Sequence, residues 1–304
     1  MIVLVHKKPG PGYKWVQKLL FAPDGRTLIT GGHIGNHIWY DLPATNHRHD
    51  FCDLGYMQRA QFSAKGELLQ CGSAFKFTDV TTRVTRTVEL DGSSVPAFDV
   101  TPNGRSIVFG ATDRRSGKSW LRCAPLKNLS AAVWSRDVAL PYGSALWCLD
   151  AKKYLLVTRE DKANKRAMRY TVGSLKTGEP GEAVDNEWIG FKSVNSSDGR
   201  FFAVALASAQ VAVFSTADFS QPLSLLKNTS RKQFNDIAFH PSGKYLAATS
   251  NDETVKLYDT NTWEVAHTFT WKIGRMHSVA FSPDGALAAA GSDKGQVVVW
   301  DVDL

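Results

Sequence analysis

The chain has 304 residues, enough for one large all-β domain or two ordinary domains, and its 43% hydrophobic and 21% charged composition excludes wholesale disorder. Its net charge of +7 favours an acidic partner: nucleic acid, an anionic protein surface or an anionic membrane face. The four cysteines have no Cys-x-x-Cys spacing, which indicates isolated thiols in a reducing compartment and excludes a disulfide framework.

The first residues place an apolar run, Ile2–Val5, before the charges of Lys7 and Lys8. A secretory signal has the opposite order and a longer apolar run. No stretch approaches the roughly 18–20 uninterrupted apolar residues of a membrane-spanning helix. We therefore expect a soluble cytoplasmic protein without a membrane partner.

A glycine turn recurs along the chain and divides it into similar units. The turn glycines are Gly25, Gly66, Gly104, Gly199, Gly243 and Gly285. The interval between Gly104 and Gly199 is twice the usual one, and Asp150–Lys153 has the character of the missing turn. Seven units of about 40–48 residues then cover the chain, a period typical of repeat architectures.

Each unit has the same order of β-forming segments. In the last unit, Ser278–Phe281 leads into a Pro-Asp-Gly turn, where Pro fixes φ and Gly supplies a positive φ. A small apolar run, Leu287–Ala290, and a β-branched run, Val297–Asp301, follow. A more polar outer strand, such as Glu264–Phe269 in the preceding unit, completes the pattern. Four short antiparallel strands per unit predict a propeller blade.

The phrase Phe281-Ser-Pro-Asp-Gly285 followed by Trp300-Asp301 resembles the WD40 repeat, and weaker copies extend the resemblance over essentially the whole chain. The resemblance implies an all-β, seven-bladed β-propeller with four-stranded antiparallel blades. We expect a single domain over residues 1–304, closed by pairing of the N-terminal strand Ile2–His6 with the last blade. The inner strands are expected to start near residues 15, 57, 95, 144, 189, 234 and 276.

The resemblance also implies a hydrogen-bonded tetrad of a loop His, a second-strand Ser or Thr, a turn Asp and a third-strand Trp in each blade. Only the sixth unit approaches this set, with Ser250, Asp252 and Tyr258, and it has no His. We therefore expect packing and strand ladders, more than buried polar networks, to hold the fold together.

The histidines are candidate metal ligands because His33, His37, His47 and His49 lie in one unit with Asp50 and Cys52. A strand of five or six residues separates the two rims of a blade by ~17–20 Å, too far for shared coordination. His47 and His49 alone could share a strand face, but exposed polar residues on an outer strand are the favoured interpretation. No nucleophile elbow, Walker loop or dinucleotide fingerprint occurs. We expect no metal, no cofactor and no enzyme activity.

Propellers of this family bind partners mainly on the face that carries the loops before the inner strands and the turns between second and third strands. Trp, Tyr, Phe and Arg in such loops are the residue types that dominate interaction hot spots. The alternative is that Trp15, Trp188 and Phe191 pack between blades. The candidate face comprises Trp15, Gln17, His33, Tyr56, Gln58, Arg59, Arg114, Arg115, Lys118, Tyr142, Trp188, Phe191, Gln233, Asn235, Arg275 and His277.

Two classes of function follow. The first is a non-catalytic scaffold that binds another protein or peptide, as a monomeric propeller within a larger hetero-complex. The second is a nucleic-acid or polyanion binder that uses the same face, with stacking aromatics among its cations. The first is favoured because basic residues are interspersed with acidic ones, even in the drifted loops 113–118 and 159–166, where we expect specificity to lie.

Overall fold

The computed structural model describes residues 1–5, 15–32, 35–42, 47–51, 60–90, 93–141, 143–162, 165–188 and 190–302. Within them all regular secondary structure is β, and the strands form seven four-stranded antiparallel sheets. The predicted fold class, an all-β seven-bladed β-propeller with four-stranded blades, is confirmed. Contacts divide the chain into two compact units, residues 1–58 with 190–304 and residues 59–189. A single domain over residues 1–304 stays a prediction.

The first unit contains blades 1, 5, 6 and 7, each numbered by the order of its inner strand in the chain. Blade 1 has strands β2 (Val16–Phe21), β3 (Leu28–Gly32), β4 (Gly35–Tyr40) and β5 (His47–Phe51). Blade 5 has β18 (Gly190–Asn195), β19 (Phe201–Leu206), β20 (Gln210–Ser215) and β21 (Ser224–Lys227). Blade 6 has β22 (Phe234–Phe239), β23 (Tyr245–Ser250), β24 (Thr254–Asp259) and β25 (Val265–Thr270).

Blade 7 is built from both ends of the described chain. Its strands are β26 (Met276–Phe281), β27 (Leu287–Ser292), β28 (Gln296–Asp301) and, as outer strand, β1 (Ile2–Val5). β1 runs antiparallel to β28, with Ile2 opposite Val299 and Val5 opposite Gln296. The predicted completion of the last blade by the N-terminal strand is therefore confirmed, although His6 lies outside the described residues.

The second unit contains blades 2, 3 and 4. Blade 2 has β6 (Ala60–Phe62), β7 (Glu67–Cys71), β8 (Ala74–Asp79) and β9 (Thr85–Glu89). Blade 3 has β10 (Ser93–Val100), β11 (Ser106–Asp113), β12 (Ser119–Pro125) and β13 (Trp134–Asp137). Blade 4 has β14 (Ala145–Cys148), β15 (Lys153–Lys162), β16 (Lys165–Ser174) and β17 (Pro180–Asn186).

Hydrogen bonds within the turns explain why blades with different sequences begin their second strands in the same way. In blade 7 the Asp284 carboxylate accepts hydrogen bonds from the Ser282 hydroxyl (2.5 Å) and the Ala286 N–H (3.1 Å), and Gly285 has φ 76°. In blade 4, which has no turn glycine, Asp150 accepts from the N–H groups of Lys152 and Lys153 at 2.6 and 2.8 Å. A carboxylate that binds the backbone therefore replaces the glycine signal.

The segment 159–166 is not the loop expected from its composition. β15 runs on to Lys162 and pairs with β16 from Lys165, so most of the segment is a hairpin that extends blade 4. The prediction failed because a mixture of charged residues is compatible with a solvated two-stranded hairpin, whose backbone pairs regardless of side-chain polarity. The segment 113–118 does form a turn, between β11 and β12.

Small residues occupy the second strands where sheets of the first unit pack on each other. Ala247, Ala248 and the run Ala288–Ala290 are fully buried. At Gly291 an added Cβ would lie 2.6 Å from both Val16 and the Ser278 hydroxyl, so a side chain there would push blade 7 from blade 1. The small apolar runs seen in the sequence are therefore a spacing requirement.

Polar side chains of inner strands also connect consecutive blades. In the first unit, Asp236 Oδ2 on β22 accepts from the Val279 N–H on β26 at 3.2 Å. In the second unit, Asp99 Oδ2 on β10 accepts from the Cys148 N–H on β14 at 2.6 Å. Burial raises the pKa of Asp99 to about 6, even though the Cys148 N–H favours its charged form.

The pairing of β1 with β28 in blade 7 leads to a prediction about the stability of the fold. Leu4 is 1% exposed and packs with Val297 and Val299, whereas its neighbour Val3 is 41% exposed. We expect Leu4→Ala to lower the free energy of unfolding by about 2–5 kcal/mol, because it leaves a cavity in the core. Val3→Ala, the matched control, should change it by less than about 0.5 kcal/mol. Urea unfolding followed by tryptophan fluorescence measures both. Equal effects of the two variants would contradict the packing of β1 against blade 7.

Candidate functional site

The structure brings one group of the predicted face residues together, in the first unit where blades 6, 7 and 1 meet. The Trp15 ring, just before β2, stacks on the His277 ring of β26, with centroids 4.7 Å apart and planes 11° apart. Asn235 Nδ2 on β22 donates to the Met276 carbonyl and to Asn251 Oδ1, both at 2.8 Å. These contacts join three consecutive blades. The group comprises Trp15, Gln17, Gln233, Asn235, Arg275 and His277.

Arg275 is the exposed cation of this group, with 62% of its side chain open to solvent. Its N–H donates to Asp293 Oδ1 at 3.1 Å, and its Nε lies 3.9 Å from Asp293 Oδ2. The preceding Gly274 has φ 105°, and an added Cβ there would collide with Asp293 Oδ1. Gly274 and Asp293 therefore fix the backbone of the loop while the guanidinium stays open to solvent.

His277 supports the other side of the group as a neutral ring. Burial lowers the pKa of His277, and the positive charge of Arg275 lowers it further, while Asp293 acts in the opposite direction. A neutral imidazole stacks on the half-buried Trp15 without the cost of burying a charge. One face of the Trp15 ring is thus held by packing, which orients the indole at the loop surface.

Behind this surface, blade 6 contains a buried polar network that sequence reasoning missed. Lys256 is 8% exposed, and its Nζ donates to Asp252 Oδ2 at 2.9 Å and to Thr254 Oγ1 at 2.8 Å. It also reaches Asn228 Oδ1 at 3.3 Å, and Asn228 Nδ2 donates to Ser250 Oγ at 2.7 Å. We expected packing and strand ladders, more than buried polar networks, to hold the fold together, and blade 6 adds such a network to its packing.

The network departs from the tetrad expected in blade 6. Ser250 and Asp252 take part, but the buried Tyr258 hydroxyl has no hydrogen-bond partner among the described residues. Asn228, from the loop after β21, occupies the role expected for the loop His. The signal for this network in the sequence was Lys256, which is the one charged residue in the otherwise apolar run Val255–Tyr258. Ser250 Oγ also donates to the Gln233 carbonyl at 3.1 Å, which links the network to the loop surface.

The remaining predicted face residues lie elsewhere or outside the described residues. Phe191 is exposed on β18 of the first unit. In the second unit, Arg114, Arg115 and Lys118 are exposed in the turn between β11 and β12. Trp188 of that unit is half-buried after β17, and its N–H donates to Asn186 Oδ1 at 3.1 Å. The predicted residues outside the described part of the chain are His33, Tyr56, Gln58, Arg59 and Tyr142.

Among the residues that the structure describes, no group of three His, Cys, Asp or Glu side chains is placed to hold a metal ion. His37 is buried on β4, while His33 and Cys52 lie outside the described part. No helix among the residues that the structure describes is long and apolar enough to cross a membrane.

Comparison with known proteins supports the repeat assignment. Residues 220–259 and 263–301 match the family described as "WD domain, G-beta repeat". The serine-threonine kinase receptor-associated protein of Mus musculus is 27% identical over 157 residues, which cover 51% of this chain and 41% of the relative. Actin-interacting protein 1 of Caenorhabditis elegans is 30% identical over 113 residues, 36% of this chain and 18% of the relative. The predicted resemblance to WD40 repeats is confirmed by these two matched segments.

A third relative, striatin of Mus musculus, is 23% identical over 127 residues, 39% of this chain and 16% of that protein. The chain thus spans less than half the length of these curated relatives. These partial matches therefore do not assign the activities or partners of the full-length relatives to this chain.

The buried network in blade 6 makes a prediction about stability and its pH dependence. Burial alone would raise the pKa of Asp252, but hydrogen bonds from Ser230, Thr254 and Lys256 outweigh it and hold that pKa below its usual range. Asp252→Asn leaves the Lys256 ammonium buried without its carboxylate, so we expect a loss of about 3–5 kcal/mol in the free energy of unfolding at pH 7.

The loss should be constant above about pH 5 and shrink as the pH falls through about 4, because wild-type Asp252 binds a proton more readily in the unfolded chain. Urea unfolding at a series of pH values measures it. Glu253→Gln, which neutralises the adjacent exposed carboxylate, is the control and should have little effect. A pH-independent difference would contradict the assigned role of the Asp252 charge.

Proposed function

We propose that this chain of WD40 repeats is a non-catalytic scaffold that binds another protein or peptide at the loops of blades 6, 7 and 1. The observation that carries the proposal is the Trp15–His277 stack beside the exposed Arg275. We further propose that the chain acts in the cytoplasm, as a monomeric propeller within a larger hetero-complex.

The physical support is preorganisation. An indole held on one face by an imidazole loses little rotational freedom on binding, so less of the interaction energy is lost to ordering. Tryptophan and arginine are also the residue types most enriched among binding hot spots. Asn235 and the Gly274 loop tie these groups to the inner strands, so a partner would meet a rigid surface.

The names of the relatives point to the same class of function. One is a receptor-associated protein and another an actin-interacting protein, which describes association with other proteins. The receptor and actin in these names are partners of those proteins, and we do not infer the partner of this chain from them.

A second candidate function is binding of nucleic acid or another polyanion. The net charge of +7 and the exposed turn that carries Arg114, Arg115 and Lys118 favour it. Against it, Asp293 accompanies Arg275 at the loop surface of the first unit, which reduces the local positive potential.

Affinity capture from a lysate tests the site. We expect Trp15→Ala and Arg275→Glu to deplete the same captured protein at least tenfold, since each removes a hot-spot group worth about 1.4 kcal/mol or more. Arg105→Glu, which reverses an exposed charge in the Pro-Asn-Gly turn of blade 3, is the matched control and should leave capture unchanged. Each variant is checked by thermal unfolding. Unchanged protein bands with loss of co-purified nucleic acid would reject the scaffold in favour of the second candidate.

The salt dependence of binding separates the two functions quantitatively. For a protein partner held by Trp15 and one exposed ion pair, we expect the dissociation constant to change only a few-fold between 50 and 200 mM salt. A polyanion contacted through 6–10 phosphates would lose about 10³–10⁵ in affinity over that range. Fluorescence anisotropy with the captured partner and with a labelled oligonucleotide measures both slopes.

A further inference from the structure

A small open pocket lies in the second unit, between blades 2 and 3. It has a volume of about 230 Å³ and is lined by Gln61 of β6, Asp99 of β10 and neutral residues of these strands and of the turns after them. The two turns touch at the pocket, because a Cβ added to Gly104 would lie 2.4 Å from the Ala64 side chain. Neighbouring blades thus bring a carboxamide and a carboxylate into one cavity.

Asp99 is the one charged residue of the pocket lining. Its Oδ2 accepts the Cys148 N–H at 2.6 Å, whereas its Oδ1 has no hydrogen bond, and the carboxylate no ion pair, within the part of the chain that the structure describes. Burial raises the pKa of Asp99 to about 6, so the carboxylate is mostly ionised at pH 7. The pocket therefore holds a negative charge without a counter-ion, which a bound cation would supply.

Gln61 adds an unsatisfied donor to the same pocket. Its Nε2 is buried and has no hydrogen-bond partner among the described residues. The amide nevertheless faces Asp99 closely enough to favour the charged form of that carboxylate. A buried N–H group without an acceptor costs free energy, which a ligand with an acceptor recovers. The pocket thus lacks two things, a cationic donor for Asp99 Oδ1 and an acceptor for Gln61 Nε2.

We propose that this pocket binds an α-aminoacyl group, that is, an α-ammonium with the carbonyl that follows it. The ammonium donates to Asp99 Oδ1 and the carbonyl oxygen accepts from Gln61 Nε2, so one ligand satisfies both side chains. The group has a charge of +1, which balances the charge of Asp99. A cavity of ~150 Å³ holds a benzene ring, so this pocket has room for the aminoacyl group and a small side chain.

Other cations fit the pocket less well. A guanidinium fork uses both oxygens of a carboxylate, and here the Cys148 N–H already occupies Oδ2 of Asp99. A simple alkylamine has no acceptor for Gln61 Nε2. A free amino acid would place its own carboxylate beside that of Asp99. The chemistry therefore favours the N-terminus of a peptide or a small amino amide.

This site goes beyond the proposed function, because it lies in the second unit and uses none of the loops of blades 6, 7 and 1. Its test needs no protein partner, so the two proposals survive or fail independently.

The test follows the whole chain by NMR at pH 7 while glycinamide is added. The reporter is the backbone N–H of Cys148, which binds Asp99 Oδ2 and is assigned by ¹⁵N-cysteine labelling and its loss in Cys148→Ser. We expect this signal to shift and saturate. Ethylamine has no carbonyl and should bind about fivefold more weakly. Glycine should also bind more weakly, and acetyl-glycinamide, which has no ammonium, should not saturate.

Two variants separate the roles of the side chains. Asp99→Asn keeps an acceptor for the Cys148 N–H but removes the charge, so the affinity for glycinamide should fall by about tenfold or more. Gln61→Met keeps the length of the side chain but removes the donor, so glycinamide should lose its advantage over ethylamine. Glu89→Gln, which neutralises an exposed carboxylate of β9, is the matched control and should change neither affinity.

The peptide Gly-Ala-Gly-amide distinguishes the two sources of the aminoacyl group. Binding at least as tight as that of glycinamide assigns a peptide N-terminus, and weaker binding assigns a small amino amide. The proposal is overturned if the Cys148 signal does not saturate with glycinamide, or if Asp99→Asn binds glycinamide as tightly as the wild type. It is also overturned if ethylamine or acetyl-glycinamide binds the wild type as tightly as glycinamide does.

Discussion

The close approach of neighbouring sheets is the constraint on which the rest of the first unit depends. The fully buried alanines of β23 and β27 and the bare backbone of Gly291 let blades 6, 7 and 1 pack near enough for single hydrogen bonds to cross between them. The Ser278 hydroxyl reaches the Val16 carbonyl at 2.7 Å, and Asn235 reaches the Met276 carbonyl. Larger residues would separate the sheets, break these bonds and move Trp15 off His277.

The fold could be predicted because its signals are local. A Ser-Pro-Asp-Gly turn acts through hydrogen bonds within five residues, and a run of small residues reports the spacing of sheets directly. Even blade 4, without a turn glycine, was found through Asp150. The hairpin at 159–166 was not predicted, because pairing between backbones requires no particular side-chain pattern in a segment that mixes acidic and basic residues.

The candidate site could be predicted only in part, because its geometry is tertiary. The loop positions of Trp15, Arg275 and His277 followed from the repeat, but the stack of an indole on an imidazole from another blade did not. The network around Lys256 was hidden for a chemical reason. An amide and an ammonium together replace the hydrogen-bonding capacity expected of a histidine and a tryptophan, and no single position shows that equivalence. Such a network stiffens the loops next to it, which suits the binding surface that we propose there.

The outer strand of blade 7 has a consequence for how the protein reaches its native state. Ile2 pairs with Val299, and the two residues are 297 positions apart in the chain. During synthesis β1 leaves the ribosome before the other described strands and has no partner until β28 follows, so blade 7 is the last of the seven blades that can be completed. Until then Leu4 and the free edge of β1 remain available for wrong pairing. Contacts of such long sequence separation also form late in refolding, since the loop that they close has a large entropic cost. The interaction that completes the fold is thus the one that the growing chain must postpone longest.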